Sequence, residues 1–284
     1  VSDRRVHPAR IALYAFLALG LIYMVAPIAI VVVESFNSSS FGQWPPPGFS
    51  TLWYSHLFHG GGFGAPAIRS VEIALTATAG SVASGTLAAL AIARYRFPGR
   101  RAVQSFVAAP LIVPKVAIGI AAFVLFLKLG WYGSLGSLIL VHVVLTLPFV
   151  VTLAVAGFAR VDRTLEEAAA DLGARPRQVL LRATLPQMRA TLVAAAAFSF
   201  IISFDELDAS IFLVGQKSNT LPTAMFIYMQ KYQDPTLAAL STLLIGGSLL
   251  AAAAIAVLIV RIGGVRAIRG QQDGAVAAAL EEGV

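Results

Sequence analysis

Six stretches of this sequence are each long and apolar enough to cross a lipid bilayer, and that repeated length restricts the fold more than any other feature. They lie at about 11–33, 71–93, 102–129, 137–158, 192–213 and 237–262. A hydrocarbon layer of about 30 Å needs roughly 20 apolar residues in a helix. Within lipid every backbone N–H and C=O must be satisfied inside the segment, so runs of this length are helices. The rest of the composition agrees. The chain is 58% hydrophobic and 12% charged, where a soluble domain carries roughly 25% charged residues. The expectation is an all-α integral membrane protein with six transmembrane helices. The first run lacks an A-x-A-like site after a short apolar core, so it reads as a retained span.

Charge placement sets the topology. The formal charge of +7 does not sit on an aromatic-laced patch, as nucleic-acid binding would need, but at span ends. Sixteen Lys and Arg fall on one side: Arg4, Arg5, Arg10, the cluster at Arg94–Arg101, six between the fourth and fifth runs, and Arg261, Arg266 and Arg269. The other side holds four, Arg69, Lys128, Lys217 and Lys231. Both ends are therefore expected in the cytoplasm of a multi-pass membrane protein. The expected organisation is a short tail at 1–10, a six-span domain at 11–262, and a polar tail at 263–284.

Several function classes drop out. Without cysteine there is no disulfide, thiolate metal site or Cys nucleophile. No G-x-x-x-x-G-K-[ST] loop cradles a nucleotide phosphate, and no Ser/His/Asp or His-x-x-x-His grouping occurs in the spans. No catalytic or metal-binding residues are assigned. His56 and His59 are three apart, without a third ligand nearby, on an amphipathic stretch at 50–58 that reads as an interfacial helix. His142, alone in the fourth run, reads as a hydrogen-bonded packing residue. Pro110, Pro114 and Pro148 are expected to kink their helices.

Two polar features stand out. The first is the cytoplasmic segment 164–186, which reads as two short helices and a turn. Thr164 and Glu167 have capping-box spacing, Gly173 occupies a C′ position, and Pro176 suits the first turn of a second helix. Pro186 is expected to end or kink that helix. Leu165, Ala168, Ala169 and Leu172 share one small apolar face, with Glu166, Glu167 and Asp171 supplying surface charge. Such an elbow is a docking device. The second feature is the set Asp205, Glu206 and Asp208, placed by the run limits about 20 Å into the fifth span. On a helix Asp205 and Asp208 share a face. Lys115, at a similar depth in the third run, is either their structural partner or part of a solute pathway.

Glu167-Ala168-Ala169, then Gly173, then Ala183-Thr184-Leu185-Pro186 resembles the EAA loop of binding-protein-dependent ABC importer permeases. Ala183 departs from the family pattern, which has Ile there. Phe36-Asn37, Trp44-Pro45-Pro46 and Ser203-Phe204-Asp205-Glu206 extend the likeness along the chain and resemble the spermidine/putrescine branch. The resemblance implies a type I importer permease fold in a bacterial inner membrane. It also implies a coupling helix carrying Glu166, Glu167, Ala168, Ala169, Asp171, Gly173 and Pro186, seated in an ATP-binding subunit. ATP and magnesium would belong to two such subunits, with no cofactor in this chain. The other implied partners are a second permease subunit, an external solute-binding protein and membrane lipid, but no nucleic acid. The expected function is ATP-driven import of a polyamine or similar amine past Asp205, Glu206, Asp208 and Lys115. A zwitterionic or anionic solute, and a secondary transporter using the same carboxylates, stay open as alternatives.

Overall fold

The computed structural model describes residues 8–60, 62–215, 218–254 and 256–257. The tail expected at 263–284, and most of that at 1–10, lie outside the described residues. The chain divides into two compact units, Gly62–Gln230 and the two flanking segments Val1–Gly61 with Lys231–Val284.

The central unit is built on three long helices, α3 (Gly64–Arg94), α6 (Leu135–Phe158) and α9 (Leu185–Phe204), each packed against the other two. Helices in lipid gain little from apolar burial alone, so close approach through small side chains is what joins them. On α3 that approach runs along the buried Ala74, Ala77, Ser81, Gly85 and Ala89. A Cβ at Gly85 would stand 2.8 Å from Val150 Cγ1 on α6. Ser81 Oγ lies 2.6 Å from Thr146 Oγ1, a polar tie inside the same seam. His142 is fully buried, with Nδ1 2.7 Å from Ser203 Oγ and Nε2 2.9 Å from Ser210 Oγ. It therefore joins α6 to the end of α9 and to the segment that follows.

Two expected spans differ from the sequence reading. The third run is not one helix: α4 (Arg100–Ile112) and α5 (Lys115–Lys128) meet at a bend of 104°. Pro114 crowds the residue before it out of the helical region, and Val113 accordingly has φ −76° and ψ 130°. Pro110 and Pro148, by contrast, sit inside unbroken helices. Among the described residues five helices are long and apolar enough to cross a membrane, six if α4 and α5 together form one broken crossing. The fifth crossing begins earlier than 192 and ends at Phe204. Its helical stretch starts at Pro176 and runs 29 residues, about 44 Å at 1.5 Å per residue. That already exceeds the hydrocarbon thickness.

In the flanking unit, α1 (Pro8–Glu34) contributes a span, Ala12–Glu34, in which no residue is buried. Helix α2 (Leu52–His59) follows, close to the expected interfacial helix. Asn37 organises the intervening loop. Its Nδ2 donates to both carboxylate oxygens of Glu34 at 3.1 Å and to the Gln43 carbonyl at 2.9 Å. Its own carbonyl accepts from Trp53 Nε1 at 2.7 Å. The last span is Thr236–Ala254. His56 Nδ1 lies 3.3 Å from Thr236 Oγ1, and His59 Nδ1 2.9 Å from the Ser55 carbonyl, so the two imidazoles serve separate partners.

Candidate functional site

The elbow forms, with different capping from that read in the sequence. Helix α7 spans Arg163–Asp171, and its N-cap is Asp162 rather than Thr164. Asp162 Oδ1 accepts from the Thr164 N–H at 2.9 Å and from the Thr164 hydroxyl at 2.8 Å. A carboxylate beside the positive end of a helix is the stronger cap, so the Thr164–Glu167 box does not form. The hydrogen bonds from Thr164 hold the Asp162 carboxyl below its ordinary value. At the other end Gly173 has φ +84°. Its N–H donates to the Ala170 carbonyl at 2.8 Å and that of Ala174 to the Ala169 carbonyl at 3.1 Å, a Schellman closure.

After the turn, Pro176 opens α8 (Pro176–Val179) as expected. Pro186 does not end the second helix. Residues Leu180–Thr184 form one π turn, in which the Leu185 N–H donates to the Leu180 carbonyl, and α9 continues directly from it. The proline falls in the first turn of α9, where a missing N–H is tolerated. The second half of the elbow, from Pro176 on, is thus the leading end of the fifth span, and only α7 is set apart from it by the Gly173 turn.

The outward face of α7 carries Leu165 and Leu172, 53% and 90% exposed, together with exposed Glu167, Ala168 and Asp171. Ala169 is half-buried. Glu166 departs from the expected surface role. Its Oε1 accepts from Arg94 Nη2 at 2.9 Å and from Thr184 Oγ1 at 2.6 Å, and only 18% of its side chain is exposed. Sequence reasoning gave Arg94 a topological role alone and gave Thr184 none beyond the motif. No local pattern connects two residues 72 positions apart.

The carboxylates are also rearranged. Because α9 ends at Phe204, Asp205 is its C-cap and residues 205–209 are not helical. The shared helical face expected for Asp205 and Asp208 is therefore not formed; both are exposed beyond the helix end. Asp205 caps the helix roughly 30 Å along from Leu185, at the end of the fifth span rather than part-way along it. Glu206 alone is buried, at 2% exposure. Lys115 Nζ lies 2.7 Å from its Oε2, and the Ala209 N–H donates to its Oε1 at 2.9 Å. Lys115 opens α5 just past the bend and keeps 44% of its side chain exposed. One turn on, a Cβ at Gly119 would be 2.7 Å from Ala209 Cα, so α5 lies directly on the 205–213 segment. Among the described residues no three His, Cys, Asp or Glu are grouped to hold a metal.

Residues 81–267 match the family described as "Binding-protein-dependent transport system inner membrane component". The chain is 33% identical over 238 residues to the putrescine transport system permease protein PotI of Escherichia coli K12, covering 81% of this chain and 84% of that one. It is 34% identical over 232 residues to the spermidine/putrescine transport system permease protein PotC of Haemophilus influenzae, covering 81% and 90%. A putative 2-aminoethylphosphonate transport system permease protein, PhnV of Salmonella paratyphi A, is 28% identical over 237 residues, covering 82% and 88%. A solved bacterial ABC transporter that imports the acidic polysaccharide alginate shares the fold, with a TM-score of 0.69 at 14% identity over 91% of this chain and 98% of that one.

Proposed function

Because this chain belongs to the inner-membrane components of binding-protein-dependent transport systems, we propose that it is the permease subunit through which an ATP-driven importer passes a polyamine or a similar amine. The chain is a transport component of an ABC importer. The likeness to permeases named for putrescine and spermidine, over about four fifths of each chain, supports the substrate class. The exposed Asp205 and Asp208 are the chemistry that fits it. Glu206 is neutralised by Lys115, so the acceptors left for an ammonium group are its two exposed neighbours.

In the proposed assembly α7 lies in the cytoplasm against one of two ATP-binding subunits, with both chain ends on that side. A second permease subunit completes the pathway, and a solute-binding protein delivers from outside. Continuity of α8, the π turn and α9 makes the elbow a lever on the fifth span, and Asp205 follows directly at its far end. A second reading, a zwitterionic solute, is favoured by the half-exposed side chain of Lys115, a cation paired with Glu206, and by the aminoethylphosphonate relative.

The test is uptake of labelled putrescine, spermidine and 2-aminoethylphosphonate in cells whose own uptake systems are deleted. The operon encoding this chain should restore uptake of the amines. Uptake of the phosphonate alone would overturn the polyamine assignment and leave the permease assignment standing.

A further inference from the structure

Glu166 is the one acidic residue of the elbow that does not face outward. Three elements distant in sequence meet at its Oε1: Arg94 from the last turn of α3, Glu166 from the first turn of α7, and Thr184 from the π turn that starts α9. The Arg94 and Glu166 side chains are 16% and 18% exposed, and Thr184 is 3% exposed. A charged pair so shielded from water is held tightly, because separating it strands each charge without a partner.

The π turn adds a second reason for interest. It carries one residue more per hydrogen-bonded ring than the α-helix on either side, and such turns are rare and concentrate at functional positions. Thr184 is its last residue. Its hydroxyl gives its short bond to Glu166, while its contact with the Val179 carbonyl is stretched to 3.5 Å. The hydroxyl is thus committed to the carboxylate across the elbow rather than to its own helix.

We infer that Glu166 is a positioning residue for coupling: gripped by Arg94 and Thr184, it locks α7 to the second and fifth spans so that all three move as one body. Without this node, α7 would be joined to the fifth span through the Gly173 turn, its packing on 176–184 and one backbone bond at its N-cap, from the Asp162 N–H to Gln187 Oε1 at 3.0 Å, with no charged tie to the second span, and a push on α7 would be spent partly in rotation of the helix. The exposed Glu167, Ala168 and Leu172 then serve contact with the ATPase, while Glu166 serves transmission. The inference rests on the permease assignment but not on the substrate class.

The chain has no native cysteine, so paired spin labels at Arg96→Cys, two residues past the end of α3, and Arg163→Cys, the first residue of α7, report the distance between the end of α3 and α7. Both positions are exposed and outside the node. Labelled before assembly into the full complex, the distance distribution should keep its position and width with and without ATP. Thr184→Val should broaden it by several Å, Thr184→Ser should restore it, and Glu166→Gln with Thr184→Val should do no more than the worse single change. Transport measured alongside should show solute moved per ATP falling about 5- to 10-fold in Thr184→Val, at unchanged complex yield and ATPase rate. A distance that shifts on ATP binding in the unsubstituted chain, or that Thr184→Val leaves unchanged, overturns the inference. So does uptake that falls only in proportion to assembled complex. If the unsubstituted complex moves solute without hydrolysing ATP, the permease assignment fails instead, and the label distances still decide whether the node is rigid.

Discussion

Replacing Gly173 by valine isolates what the turn of the elbow contributes. Nothing lies within 4 Å of a Cβ built on Gly173, so the substitution meets no steric clash. Its whole cost comes from φ +84°. An L-residue in the left-handed region costs about 1–2 kcal/mol, and a β-branched one lies at the upper end. Since 1.4 kcal/mol is about a factor of 10 in an equilibrium, the native Schellman closure should lose about 5- to 30-fold in relative population. The alternative turn would redirect α7 while leaving the spans intact. Alanine should cost about 1 kcal/mol, and asparagine less because it tolerates this region. The assay is uptake normalised to membrane-inserted protein, with ATPase rate in parallel. Uptake should fall about tenfold in Gly173→Val, several-fold in Gly173→Ala and little in Gly173→Asn, at equal insertion. Equal uptake in the valine and asparagine variants would refute the argument, since only backbone conformation separates them.

Other outcomes follow from the same geometry. Gly119→Val should destabilise the detergent-solubilised protein by about 1–3 kcal/mol, the usual cost of overpacking, read as a lower Tm, because its Cβ would press on the Ala209 backbone. Lys115→Met strands the buried Glu206 carboxylate; the cost should be about 2 kcal/mol, below that of a fully buried pair because the lysine is half-exposed. Lys115→Met with Glu206→Leu should recover most of that loss in the same melt. The Asp162 carboxyl is held below its ordinary value of 3.8, so its contribution is fully present above that pH and lost as pH falls below it. Hydrogen exchange at the first turn of α7 should accordingly show lost protection only in the acid range, and Asp162→Ala should remove that pH dependence. A photo-crosslinker at Leu172, 90% exposed, should capture the ATP-binding subunit; one at Ile73, fully buried on α3, should not.

The spans were legible because length and hydropathy answer to the bilayer and to little else. So were the positions of Gly173 and Pro176, which act through their own backbones. What the sequence hid was set by competition or by distance. Asp162 displaced Thr164 as the cap because a charged acceptor two residues upstream outbids a hydroxyl at the same N-terminus. The fifth span also starts early, because the helix runs on through the π turn and Pro186 falls in the first turn of α9, where its missing N–H is tolerated. The inward turn of Glu166 depended on Arg94 and Thr184, whose proximity only the packed structure creates. Glu206 likewise differed from Asp205 and Asp208 in the sequence only by helical phase, which does not name its partner; α5, bent at Pro114, delivers Lys115 to it.

The central claim is that this chain moves solute only when an ATPase drives its elbow. It is tested by sealed proteoliposomes carrying the complete complex, with loaded binding protein and labelled putrescine outside and ATP trapped within. Uptake should require both ATP and the binding protein, and should stop when ATP is replaced by a non-hydrolysable analogue. Uptake that persists without ATP, or that follows an imposed proton gradient, would contradict the account.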